Sequence, residues 1–225
     1  MKKIKAPLDP GFAPLALAYR AFCGDVKARG DGRRFVLRIL RGKGRSSAFE
    51  TLIFPDGVAD ERNIRMMDRL IKSLLWIRGG YAIQVSGSEV IYRHLKAAYQ
   101  PSGSREFDAR FMARVYEQPF QVENIENPED IASSQEASSA IGQHLDGCRI
   151  GFDAGGSDRK VSAVMNGQTL FSEEVIWFPK VTEDPEYHYR EILSAFRAAA
   201  SHLPRVDAIG VSSAGVYIDN RVMTA

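Results

Sequence analysis

Asp153, Gly155, Gly156, Ser157 and Lys160 stand close together in the run RIGFDAGGSDRKVSAVM at 149–165. These are the residue types that handle a phosphate group. Glycines let backbone N–H groups approach an anion without side chains in the way, and a run of such N–H groups makes an anion-binding concavity. A serine hydroxyl adds a donor and a lysine adds charge. A carboxylate such as Asp153 is a fitting anchor for Mg²⁺, which keeps several of its waters and needs only one or two carboxylates. The same residues also make an ordinary hairpin turn, in which Gly, Ser and Asp are common, and both readings stay open on this run alone.

The elements that would position such a loop can be read around it. Residues 149–153 form an apolar run ending at the carboxylate, and 160–165 alternate as a second strand. Asn166-Gly167 is the strongest short hairpin signal, so 169–178 is the third strand of a meander. Pro185 opens a helix expected to run to His202, with Tyr189, Ile192, Leu193, Phe196 and Ala200 inward. A fourth strand over 206–211 then enters a second small-residue loop, Ser212-Ser213-Ala214-Gly215. The order is β-β-β-α-β.

The preceding residues have a different rhythm. A short helix is expected over 15–22, then strands at 34–40 and 47–54 and a turn at Pro55-Asp56-Gly57. The segment 60–78 carries Ile64, Met67, Ile71, Leu74 and Leu75 at helical spacing, with Asp60 as N-cap and Gly79-Gly80 as the stop. A strand at 81–85 follows, then a helix capped by Ser88 and a further helix with Phe107, Phe111 and Val115. This predicts a small α/β domain of ββαβα order over 1–120, of unknown role. Two prolines and five acids make 117–130 a connector, and Pro128 opens a Ser/Ala-rich helix to about Leu145. The expected division is 1–120, a connector and helix over 121–147, and a second domain over 148–225. No internal repeat stands out.

The stretch IGFDAGGSDRKVSAVMNG resembles the first phosphate loop of the actin-like ATPase superfamily of sugar kinases, Hsp70 and actin. It is most similar to the ROK group of sugar kinases and repressors, with their Gly-x-Asp-x-Gly-Gly-Thr pattern followed by a Lys. Gly151, Asp153, Gly155, Gly156, Ser157 and Lys160 fall on those positions, with Ser157 for the usual Thr. The stretch VDAIGVSSAGVYIDNRV is similar to the group's segment beside the sugar, with Ala214-Gly215 for the commoner Pro-Gly. The resemblance covers about 146–225 and implies a partial actin-like (ribonuclease H-like) ATPase domain with a mixed sheet, behind the small α/β domain. It implies ATP and Mg²⁺ as cofactors, with Asp153, Gly155, Gly156, Ser157 and Lys160 on the nucleotide and Asp153 on the metal. Ser213, Ala214 and Gly215 would lie by a sugar or sugar-like molecule. The reaction implied is transfer of the γ-phosphoryl group to a sugar hydroxyl, which needs alignment, charge neutralisation and a base.

In that group the base is the Asp of an Asn-Asp pair that would lie beyond Ala225. Asp219-Asn220 has the reverse order and is set aside, so no catalytic residue is assigned. The expectation is one wall of a kinase cleft, inactive by itself: a fragment of a longer kinase, a non-enzymatic binding or transcription-regulatory relative, or a chain whose cleft a second copy, as in a homodimer, completes.

Other chemistries have less support. The four histidines show no metal-ligand spacing, and Ser212-Ser213 has no G-x-S-x-G frame. Arg34, Arg38 and Arg41 alternate with Phe35, Leu37 and Ile39, the pattern of a solvated sheet face, which with a net charge of only +2 disfavours a nucleic-acid partner. No apolar run reaches the roughly 18–20 residues of a membrane span, and the N-terminus lacks a cleavable leader pattern. Two distant cysteines, Cys23 and Cys148, imply reduced thiols and a cytoplasmic protein.

Overall fold

Alternation of apolar and polar residues makes 33–53 a hairpin: β1 (Arg33–Gly42) and β2 (Arg45–Ile53) pair antiparallel. The computed structural model describes residues 7–9, 12–136, 142 and 144–224. The chain divides into two units, Met1–Ser138 and Ser139–Ala225.

In the first unit α1 (Leu15–Arg29) precedes the hairpin, and α2 (Asp60–Arg78) leads to β3 (Ala82–Ser86), antiparallel to β1. Helices α3 (Glu89–Ala98) and α4 (Glu106–Tyr116) then carry the chain to β4 (Gln121–Asn124), parallel to β3. The sheet order is β2-β1-β3-β4. Phe35, Leu37 and Ile39 line one face of β1 and join Val26, Ile53, Met67, Ile71, Leu75, Ile91 and Leu95 in a single core. Ser88 caps α3 as expected, its hydroxyl accepting from the Ile91 N–H at 3.1 Å.

Four expectations for this unit change. Helix α1 continues past position 22 to Arg29, because Val26 extends the buried stripe through an otherwise polar stretch. Asp60 does not cap α2: Ala59 holds the N-cap position, and the Asp60 carboxylate accepts from the Gly57 N–H at 2.8 Å in the preceding turn. The acidic stretch expected as a connector contains β4, since an edge strand leaves Glu123 and Asn124 in reach of solvent while Val122 packs inward. The helix expected from Pro128 is a single 3-10 turn, Pro128–Asp130. Beyond it the chain runs along the outer edge of β2, where Ser46 and Gln135 exchange N–H···O bonds of 2.9 Å and the Ser134 hydroxyl accepts from the Ala48 N–H at 2.8 Å. These bonds to a strand distant in sequence hold the segment extended where the local pattern predicts a helix. Of that expected helix, 137–141 and 143 lie outside the described residues.

The second unit is the expected meander. β5 (Cys148–Ala154), β6 (Asp158–Met165) and β7 (Gln168–Ile176) are antiparallel, and α5 (Pro185–Ala200) crosses to β8 (Ala208–Ser213), which lies parallel to β5. Asn166 and Gly167 both have positive φ, 50° and 82°, as a type I′ turn requires. The sheet order is β7-β6-β5-β8, so both main sheets of the chain are mixed. This order is compatible with the actin-like, ribonuclease H-like arrangement. Helix α5 seats small residues, Ala195 and Ala199, on Ile150, Phe152, Val161 and Ala163, with Phe152 and Phe196 edge to face at 5.3 Å. Tyr189, expected inward, is largely exposed, because the stripe that meets the sheet is the alanine one. A ribbon of β9 (Val216–Ile218) and β10 (Arg221–Thr224) follows β8. Ile209 and Val211 of β8 are exposed, and among the described residues no strand pairs with the side of β8 away from β5. No described helix is long and apolar enough to cross a membrane.

Candidate functional site

Cross-strand partners share a face of a sheet. The pairs Asp153↔Lys160, Asp153↔Ser212, Gly151↔Ser162 and Gly151↔Gly210 therefore place small and polar residues on one face of the second unit. The opposite face carries Ile150, Phe152 and Val161 under α5. A trough of about 500 Å³ lies over the polar face, lined among others by Asp153, Lys160, Ser162, Ser172, Gly210 and Ser212.

Asp153 stands near the C-terminal end of β5, where the α5 crossover and parallel pairing put it beside the C-terminal end of β8. Ser212 donates its hydroxyl to the Asp153 carboxylate. One carboxylate oriented by a hydroxyl at a strand end fits a magnesium held mainly through water and phosphate, since that ion asks for few protein ligands. Among the described residues no three His, Cys, Asp or Glu side chains group as a metal site.

The loop 155–157 is fixed from below by Trp177, which is buried. Its indole N–H donates to the Gly155 carbonyl at 2.8 Å, and its backbone N–H donates to the Ser157 carbonyl at 3.2 Å. The two glycines do different things. A Cβ on Gly155 would stand 2.4 Å from the Asp158 carbonyl oxygen, a contact with backbone that cannot give way cheaply. A Cβ on Gly156 would meet only the Lys180 side chain, at 2.6 Å from its Cε. The ammonium of Lys180 thus lies over the glycine loop, 2.8 Å from that same point.

Lys160 is engaged elsewhere. Its ammonium meets the Asp158 carboxylate at 2.5 Å and stands 3.8 Å from Glu174. The hydrogen bond to Asp158 raises the Lys160 ammonium above its ordinary range, and the same bond holds the Asp158 carboxyl below its own. The Ser157 hydroxyl also turns to Asp158, at 3.3 Å.

The second small-residue loop is exposed. Ser213 lies on the sheet face opposite Asp153, being the partner of Ala154, and its hydroxyl donates to the Ala214 carbonyl at 3.3 Å. Ala214 and Gly215 continue the turn into β9, Gly215 with φ 121°. The structure therefore brings Asp153 together with Ser212, and sets Gly155, Gly156 and Ser157 in the adjoining loop. Sequence reasoning missed Ser212, Lys180 and the fastening by Trp177. For Ser212 there was a usable signal: residues 153 and 212 both close apolar strand runs, and parallel pairing of those runs makes them neighbours.

No family model matches the chain. No curated protein matches it. Among solved structures, an exopolyphosphatase from Cytophaga hutchinsonii ATCC 33406 is similar over 81% of this chain and 64% of that one, at 12% identity and a TM-score of 0.25. The chain spans less than two thirds of that neighbour's length. A likeness of that size fixes neither site nor substrate, so the ROK resemblance rests on the residues quoted for it.

Proposed function

We propose that the second unit is one wall of a phosphoryl-transfer site that takes ATP with Mg²⁺, in the manner of a ROK-like sugar kinase. The observation that carries this reading is the junction of Asp153 and Ser212 at neighbouring strand ends, opening on the trough and adjoining the Gly155–Ser157 loop. In this reading the loop's N–H groups and the Lys180 ammonium face the phosphates, because Lys160 is already paired with Asp158 and Glu174. Asp153 orients the magnesium, whose contribution is to neutralise phosphate charge. The Ala214-Gly215 turn edges the sugar side, while the Ser213 side chain is on the sheet face opposite Asp153. The base that takes the sugar's hydroxyl proton is assigned to none of these residues, so binding is the property to measure first.

The experiment is titration calorimetry of the chain with ATP, with and without Mg²⁺. The reading requires saturable binding that strengthens with Mg²⁺, loss of the Mg²⁺ effect in Asp153→Asn, and weaker binding in both magnesium states in Lys180→Ala. Absence of ATP binding, or an unaltered Mg²⁺ effect in Asp153→Asn, overturns it. A second reading, a regulatory unit that binds without turnover, is favoured by the closed pairing of Lys160. It predicts nucleotide binding with no ADP formed when glucose or another hexose is added.

A further inference from the structure

At the outer edge of the first unit's sheet, the chain places one of its own carboxylates among cations. Glu136 accepts the Ser47 hydroxyl at 2.6 Å and stands 3.4 Å from the Arg41 guanidinium and 3.7 Å from that of Arg78. Each of these partners is fixed by the fold. Ser47 is a buried residue of β2. Arg41 stands near the end of β1 with its side chain only 21% exposed, and its Nε is buried with no hydrogen-bond partner among the described residues. Arg78 is the last residue of α2, held there by the stop at Gly79, whose N–H bonds to the Leu75 carbonyl at 2.7 Å.

We propose that Arg41, Arg78 and Ser47 form a binding site for a small free carboxylate with a short apolar tail, and that Glu136 is the internal occupant such a ligand displaces. Three observations support this. Two guanidinium groups share one carboxylate, so the cluster keeps a positive charge even with Glu136 in place. The two arginine contacts are longer than the ~2.7–2.9 Å of a well-formed charge-assisted hydrogen bond, and a ligand free of the chain can settle closer to both. A cleft of about 90 Å³ adjoins the carboxylate, floored by Leu37 and Ile39 and flanked by Phe49 and Leu74. A cleft of that size suits a tail of a few carbons.

The occupant is also held lightly. The extended segment before Glu136 is tied to β2 by one isolated antiparallel bridge, Ser46↔Gln135, and by Ser134. Such a segment belongs to the low-stability end of a fold, where local opening is cheap. The Ser47 hydroxyl, with Arg78 and Arg41, holds the Glu136 carboxyl below its usual range, so at neutral pH it is a charged competitor for the site.

The test uses isobutyrate as the probe, titrated calorimetrically into the full chain at pH 7. Because an occupied site lowers apparent affinity by the fraction that is open, Glu136→Gln should bind isobutyrate roughly tenfold more tightly than the unaltered chain. Adding Arg78→Gln, at a half-exposed helix end, should abolish that binding, and the neutral isostere isobutyramide should not bind Glu136→Gln. Equal affinity in Glu136→Gln and the unaltered chain overturns the proposal. So does binding that survives Arg78→Gln, or isobutyramide binding as well as isobutyrate. The site is independent of the nucleotide reading, and Asp153→Asn should leave isobutyrate binding in Glu136→Gln unchanged.

Discussion

Lys160 shows how a motif residue can match by position and differ in chemistry. It stands where a phosphate-neutralising cation belongs, yet its ammonium is taken up by Asp158 and Glu174. The consequence for pH follows from the two shifts. The depressed Asp158 carboxyl contributes stability that is complete above its ordinary value near 3.8 and is lost as pH falls through its lower, folded value. The raised Lys160 ammonium contributes stability that is complete below its ordinary 10.5 and is lost as pH rises through its higher, folded value. The pair is thus intact across the neutral range, and carboxyl NMR titration should find Asp158 below 3.8, returning toward that value in Lys160→Met. The glycines differ just as plainly. Gly155→Ala must move the loop backbone against the Asp158 carbonyl, whereas Gly156→Ala only displaces the Lys180 side chain. The Trp177 indole N–H resonance, a reporter of its bond to the Gly155 carbonyl, should shift strongly in the first variant and little in the second. At this scale the sequence shows which residues can act, and it hides which of them are already engaged. Asp153, Gly155 and Gly156 are visible in one short run, while Ser212 and Lys180 reach that run only through the pairing of β5 with β8 and the turn after β7.

Elements whose register is dictated by alternation or by helical spacing were legible: β1, β2, α2 and the β5–β7 meander lie within a few residues of where their apolar residues put them. Elements held by partners distant in sequence were not. β4 exists because β3 offers a parallel neighbour, and the 131–136 segment is extended because the edge of β2 offers hydrogen bonds. Asn63 belongs to the same class. The sequence sets it on a helix as one polar residue among several, but it is fully buried, with its Oδ1 accepting from the Phe54 N–H at 3.1 Å and its Nδ2 donating to the Phe54 carbonyl at 2.8 Å. It thereby ties the chain leaving β2 to the first turns of α2. Asn63→Ala removes both bonds and strands a buried peptide, which should lower stability by about 2–4 kcal/mol in denaturant unfolding.

Over the whole chain, the two units differ in how much apolar surface each encloses. The first has a core that draws on four helices and a four-stranded sheet, and the second buries a smaller set, Ile150, Phe152, Val161, Ala163, Ala195 and Ala199, beneath a single helix. Burial is the dominant stabilising contribution and scales with area. Urea unfolding should therefore show two steps. The Trp177 signal of the second unit should be lost at the lower midpoint and the Trp76 signal of the first unit at the higher, each tryptophan being isolated by substituting the other with Phe. Coincident curves would contradict this division.

The open side of β8 has one more consequence, in the exchange of amide protons with solvent. Along a strand paired on one side only, every second N–H points at a neighbour and the rest point outward. β8 should therefore take up deuterium in a comb of protected and fast residues between Ala208 and Ser213, while β5, paired on both sides, is protected throughout. A ligand that fills the trough leaves that comb intact; a strand added to the open side erases it. Residue-resolved exchange can thus tell occupation of the site from completion of the sheet.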